Sequence, residues 1–194
     1  RKMSKGRIEA FSDGVMAILI TIMVLGLTAP REASLAALLP LVPVFLSYVL
    51  SFVYVGIYWN NHHHLLHTVK QVSGGILWAN LRLLFGLSLL PFATGWAGEH
   101  HGIAPPTALY GIVLPLSAIA YFTLQGVIVA SHGRDSALAK SLGADWKGKL
   151  SMVAYLTAIA MAFVLPWISD AIYAAVALAW VIPDRRVERA LDRT

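Results

Sequence analysis

The sequence contains no cysteine, which excludes a disulfide framework, a thiolate metal site and a cysteine nucleophile. It is also poor in charge. Asp, Glu, Lys and Arg make up 13% of its 194 residues, about half the share found in a soluble domain. With 58% hydrophobic residues, the chain has more apolar surface than a water-soluble monomer can hide. The same balance excludes intrinsic disorder, which needs the opposite composition. A formal charge of +5 points to nucleic acid only when it gathers into a patch. Here the basic residues sit in the connections between apolar runs, so no nucleic-acid partner is expected.

A helix crosses a bilayer core with about 20 apolar residues. Runs over 8–29, 35–59, 76–96 and 107–131 meet that length. The stretch from Leu150 to Ile182 is too long for one span, and Pro166-Trp167-Ile168-Ser169-Asp170 interrupts it. Proline disrupts a helix and Ser or Asp caps a new one, so two spans are predicted, 150–167 and 169–183, before a tail at 184–194. The expected fold is an all-α integral membrane protein: one domain over 1–194, six transmembrane helices and both termini in the cytoplasm. The short sixth run leaves five spans as the alternative. Lysine and arginine decide between them, because cytoplasmic connections collect positive charge. Six spans put thirteen of the fifteen basic residues on one side: Arg1, Lys2, Lys5, Arg7, Lys70, Arg134, Lys140, Lys147, Lys149, Arg185, Arg186, Arg189 and Arg193. Five spans would strand the last four outside. All six tryptophans fall near span ends or in a connection, as in an interfacial aromatic belt. The first run is not expected to be a cleaved signal peptide, because Glu9 and Asp13 interrupt it early. A multi-pass protein of the cell membrane is the expectation.

Charged groups inside a span face protein or water. Glu9 and Asp13 in the first run and Arg82 in the third lie toward the cytoplasmic ends, as do Asn60, Asn61, His62, His63, His64 and His67 in the second, with Asn80 near Arg82. Three helices with polar groups at one depth suggest a hydrogen-bonded cluster tying their inner ends together; placement in the headgroup zone is the plainer reading. His63 and His67 have i, i+4 spacing suited to a shared metal, but no Glu lies between them as in a zinc protease, so no metal and no enzymatic activity are expected. At about 100° per residue, Ile18, Ile22 and Leu25 share one face of the first helix, with Gly14 beside them and Val15 and Thr21 at its flank. Asp13 and Glu9 point away, about 140° and 180° from Ile18. Such a stripe is ordinarily lipid or core contact.

Arg7-x-x-x-Phe11-Ser12-Asp13, continuing as Gly14-Val15-Met16-Ala17-Ile18, resembles the signature of the transmembrane protein 175 potassium-channel family. Trp59-Asn60-Asn61-His62-His63-His64-Leu65 is similar to the family's His-rich second helix. Asn80 to Phe85 and Ser88 to Thr94 are similar to its third. The likeness covers the first half of the chain, and the later helices match only in count and length. With one six-helix unit, the chain resembles the shorter prokaryotic members. The resemblance implies a homotetrameric, potassium-permeable cation channel whose pore is lined by four first helices. It implies a principal constriction at Ile18, further aliphatic layers at Ile22 and Leu25, and a polar layer at Thr21 linked to potassium preference. It gives Arg7, Phe11, Ser12 and Asp13 the role of holding the inner part of that helix, completed by Asn80 and by His64 or a neighbour. Potassium and other monovalent cations would be the permeant species, lipid the surroundings, with no cofactor. Arg82 and Gly14 depart from the family pattern.

No Thr-Val-Gly-Tyr-Gly run is present, so a carbonyl-lined filter of that kind is not expected, and selectivity through aliphatic rings should be modest. The rival readings are a proton- or metal-ion-coupled transporter using Asp13 and the histidines, a zinc hydrolase built on His62 to His67, and a scaffold without flux.

Overall fold

A computed structural model describes residues 4–132 and 145–181. The basic residues Arg134, Lys140, Arg185, Arg186, Arg189 and Arg193, with Arg1 and Lys2, lie outside the described residues, as do the end of the sixth predicted span and the tail 184–194. The described residues form helices joined by short connections. They are α1 (Lys5–Leu25), a 3-10 segment (Leu35–Leu41), α2 (Val42–His67), α3 (Gly74–Ser88), α4 (Leu90–Glu99), α5 (Ala104–His132), α6 (Trp146–Ala162) and α7 (Pro166–Val181). Four stretches are long and apolar enough to cross a membrane: 5–25, 35–67, 74–99 and 104–131. The last two helices are shorter, at 17 and 16 residues.

Several boundaries differ from those predicted. The first helix ends at Leu25 rather than 29, turning out through Gly26 and Leu27, whose N–H groups donate to the Met23 and Val24 carbonyls respectively. The second span opens as a 3-10 segment around Pro40, because a proline cannot donate into an α ladder. It then runs to His67, eight residues beyond the predicted end at 59. The third is two helices, interrupted at Leu89 where Pro91 enters the first turn of α4. In the final pair, Pro166 starts α7 instead of breaking α6. Proline suits that position, since the first N–H groups of a helix lack partners within it; the break lies at residues 163–165. Pro115, by contrast, sits inside an uninterrupted α5.

The core is a bundle in which α3 lies along α5, and α5 along α6, while α2 pairs with α4. Close approach is set by glycine. A methyl group on Gly86 would stand 3.1 Å from the Ser117 hydroxyl, and one on Gly98 would stand 2.9 Å from the Val44 Cα. Backbone cannot yield as a side-chain tip can. Gly98→Ala should therefore lower stability by about 1–3 kcal/mol, read as an earlier melt of the detergent-solubilised protein.

Hydroxyl groups join the helices where the bilayer offers no water. Ser51 Oγ lies 2.7 Å from Thr94 Oγ1 and 2.9 Å from the Tyr110 hydroxyl. Tyr54 donates to the Tyr173 carbonyl at 2.7 Å, and Tyr173 to the Thr107 carbonyl at 3.2 Å. Among the described residues no buried side-chain nitrogen or oxygen lacks a partner.

Candidate functional site

The helix α1 shows three faces. Ile8, Ser12, Met16, Leu19 and Met23 recur every three or four residues and are buried, packing α1 onto α2, α3 and α4. A second face, about 120° away, carries Ile18, Ile22 and Leu25. These are large aliphatics left 58%, 49% and 75% exposed by their own chain. Thr21 is exposed beside them, its hydroxyl donating to the Ala17 carbonyl at 3.0 Å. Gly14 opens onto the same side, where a Cβ would meet nothing within 4 Å beyond its chain neighbours and the backbone of its own helix. Asp13 lies on a third face.

The polar ends of the first three helices meet. Buried Asn80 of α3 donates from Nδ2 to Ser12 Oγ at 2.9 Å and places Oδ1 2.7 Å from His62 Nε2. Ser12 in turn donates to the Ile8 carbonyl at 2.8 Å. One chain of bonds thus crosses α1, α3 and α2. A separate bond joins α1 to α2 from the other side, where the Trp59 indole N–H donates to Asp13 Oδ1 at 3.0 Å. At the start of α1, Lys5 Nζ donates to the His67 carbonyl at 2.8 Å and lies 3.8 Å from Glu9. Together these contacts fix the axial rotation of α1, and hence the direction of its aliphatic stripe.

The structure therefore selects one member of the histidine run, for which the expectation is His64 or a neighbour. His62, not His64, joins Asn80. His64 lies two residues further round the helix, half-buried, with its ring 5.7 Å from that of His63. Arg7 and Phe11 are also apart from the network; both are exposed, on the side of α1 that bears Ile18. Trp59, expected in the interfacial belt and in the segment resembling the family's second helix, also partners Asp13, a contact absent from those expectations. A signal for both partners existed. Ser12 and Asp13 diverge by about 100°, so they need two partners, and Trp59 and His62 are one turn apart on α2.

The remaining histidines do not converge. The rings of His63 and His67 stack nearly parallel, 6.0 Å between centroids, and Trp59 stacks on His63 at 6.2 Å. Among the described residues no group of three His, Asp or Glu side chains is placed to hold a metal ion.

The Trp59–Asp13 bond carries a testable expectation. A hydrogen bond to a charged group contributes about 1.5–3 kcal/mol, less when exposed to solvent. Trp59→Phe should therefore lower the melting midpoint modestly, and Asp13→Asn, which keeps an acceptor oxygen, less than Asp13→Ala. An Asp13→Ala protein of unchanged melting and assembly but altered ion flux would show that the carboxylate serves ions rather than α1.

Comparison with known proteins finds a family whose matched range spans the polar network and the stripe. The family model described as the endosomal/lysosomal potassium channel TMEM175 matches residues 7–91, which include Ser12, Asp13, Trp59, His62, Asn80 and the stripe, though not Lys5. A protein of Chryseobacterium sp. (strain P1-3), named a potassium channel, is 54% identical over 189 residues, 97% of this chain and 98% of that protein. The human endosomal/lysosomal proton channel TMEM175 is 35% identical over 103 residues, 47% of this chain and 20% of the human one. The crystal structure of a lysosomal potassium-selective channel TMEM175 homologue from Chamaesiphon minutus superposes with a TM-score of 0.79 at 27% identity, covering 92% of this chain and 96% of that one.

Proposed function

The chain belongs to the prokaryotic TMEM175-family potassium channels, and from that premise we propose that four copies surround an ion pathway lined by α1. The family is one of channels, and potassium conduction is the activity its bacterial relatives are named for. The observation that carries the pore reading is the open stripe Ile18–Ile22–Leu25. Its own protomer leaves it uncovered, while the polar network locks the other sides of the same helix. In a fourfold ring, Ile18 is the principal constriction and Ile22 and Leu25 form layers beyond it. Each chain crosses the cell membrane six times with both ends in the cytoplasm; α6 and α7, near the minimum length for a span, supply the last two crossings.

An aliphatic ring too narrow for water makes a cation shed hydration without replacement ligands, and so closes the pathway by dewetting. Opening requires the rings to widen by rotation or tilt of α1. Selectivity is modest, because the rings provide no strong ligands. Thr21 adds a weak polar layer: its hydroxyl hydrogen is committed to Ala17, which leaves oxygen lone pairs for a passing cation. Arg7 and Phe11, exposed on the side of α1 that bears Ile18, are placed to meet a neighbouring copy near the inner mouth.

Mass measurement of the solubilised complex tests the tetramer. Potassium and sodium flux from liposomes tests conduction and its preference, and a complex that carries neither ion would refute the channel reading. Protons are the second permeant species to examine, since the human relative is named a proton channel. A relay through Asp13 and the histidines is less suited to them, because Asp13 and His62 do not bond to each other. Their partners are the Trp59 indole and the Asn80 amide, which do not readily take up and release protons. Passive proton flux without saturation would assign protons to the α1 pathway, and saturable pH-coupled uptake to a transporter.

A further inference from the structure

Arg82 belongs to neither the polar network nor the aliphatic stripe, yet it is a charge set well within a membrane helix. It lies eight residues beyond Gly74, the first residue of α3, which places its Cα about 12 Å along the helix. Its direction follows from the periodicity. Asn80 faces α1 and α2, and Trp78, Arg82 and Phe85 all lie about 140–160° round the helix from it. All three are exposed, Trp78 at 70% and Phe85 at 63%. The guanidinium therefore points out of the bundle, with an indole one turn toward the inner end and a phenyl ring one turn deeper.

No acidic residue occurs in α3, and among the described residues no carboxylate lies within ion-pairing distance of Arg82. An unpaired guanidinium facing hydrocarbon costs a few kcal/mol or more, so its position calls for an anion. Helical side chains lean toward the N-terminus of their helix. That sends the Arg82 head back past Trp78, toward the end of the bundle that also gathers Lys5, Lys70, Lys147 and Lys149. Arginine reaches an interface in this way while its stem stays in the apolar layer, and its planar fork suits phosphate oxygens.

We propose that Trp78, Arg82 and Phe85 form an inner-leaflet site on the outer face of α3 for an anionic phospholipid. Arg82 holds the phosphate, Trp78 flanks the headgroup with its indole, and Phe85 lies along the acyl chain. Lys70, exposed just before α3, adds positive field at the same end. Bound lipid would brace α3, whose Asn80 anchors α1, from the side opposite that anchor.

The test weighs the wild type, Arg82→Gln, Arg82→Lys and Trp78→Phe by native mass spectrometry, after equal delipidation and exposure to an equimolar mixture of phosphatidylglycerol and phosphatidylcholine. The wild type should retain phosphatidylglycerol preferentially. Arg82→Gln should reduce that preference about fivefold, as expected for one basic side chain near an anionic surface. Arg82→Lys should keep much of it, and Trp78→Phe should lower it less than Arg82→Gln. Equal retention by the wild type and Arg82→Gln would overturn the proposal. So would an Arg82→Gln complex that loses copies of the chain, which would assign the guanidinium to a carboxylate of a neighbouring protomer. The readout is bound lipid, so it stands or falls separately from ion conduction.

Discussion

Ile18→Asn is expected to increase potassium flux about tenfold and to bring the potassium and sodium rates closer together. Ile18 is 58% exposed on the uncovered face of α1, one turn before Ile22. In the proposed ring, four isoleucines give way to four amides that wet the constriction and offer oxygen ligands to a dehydrating ion. Lowering the barrier by about 1.4 kcal/mol is enough for a tenfold rise, a small part of the cost of stripping an ion in an apolar ring. The loss of preference has the same origin, because amide oxygens solvate sodium and potassium alike. Single-channel recording in planar bilayers measures both quantities. Ile22→Asn should act in the same direction and more weakly, as the lesser constriction. If Ile18→Asn conducts and discriminates like the wild type while assembled to the same mass, α1 does not form the narrowest part.

The largest structural effect is expected at Asn80. Its amide is buried and joins two helices at once, donating to Ser12 and lying 2.7 Å from His62 Nε2. Asn80→Leu keeps the branched shape and heavy-atom count and removes both bonds. Each lost bond contributes about 1 kcal/mol, and a buried His62 nitrogen left without a partner adds about 1–3 kcal/mol. The expected loss is therefore about 3–5 kcal/mol, seen as an early melt and a broadened size-exclusion peak. The double variant Asn80→Leu/His62→Leu should be less damaging than the sum of the two single ones, because it leaves no orphaned nitrogen. His64→Leu serves as the comparison, and should change melting little, since His64 lies outside the network. A simple additive result would mean that Asn80 and His62 stabilise the fold separately.

These two positions also show how unevenly the site could be read. The Ile18 stripe was visible at once, because a face of a helix depends only on its own residue spacing. The separation of Asp13 from that stripe was visible for the same reason. Partners on other helices were harder. The run Asn60-Asn61-His62-His63-His64 offers a polar group in almost every direction around α2, so local spacing could not say which imidazole meets Asn80. Trp59 looked like an interfacial indole by position, and only its contact with Asp13 at 3.0 Å gave it a further role. Helix ends were blurred by proline, which interrupts the third span near Pro91, initiates α7 at Pro166, and passes through α5 at Pro115 without a break.

Composition and period alone settle that the chain is helical, that it belongs in a membrane, and that α1 sets an aliphatic stripe apart from its polar side. Those properties are local: they follow from apolar run length and from 3.6 residues per turn. How α2 and α3 are turned about their own axes is not local. That rotation, set by core packing between helices distant in the chain, brings His62 rather than His64 to Asn80 and sends Arg82 outward, away from α1.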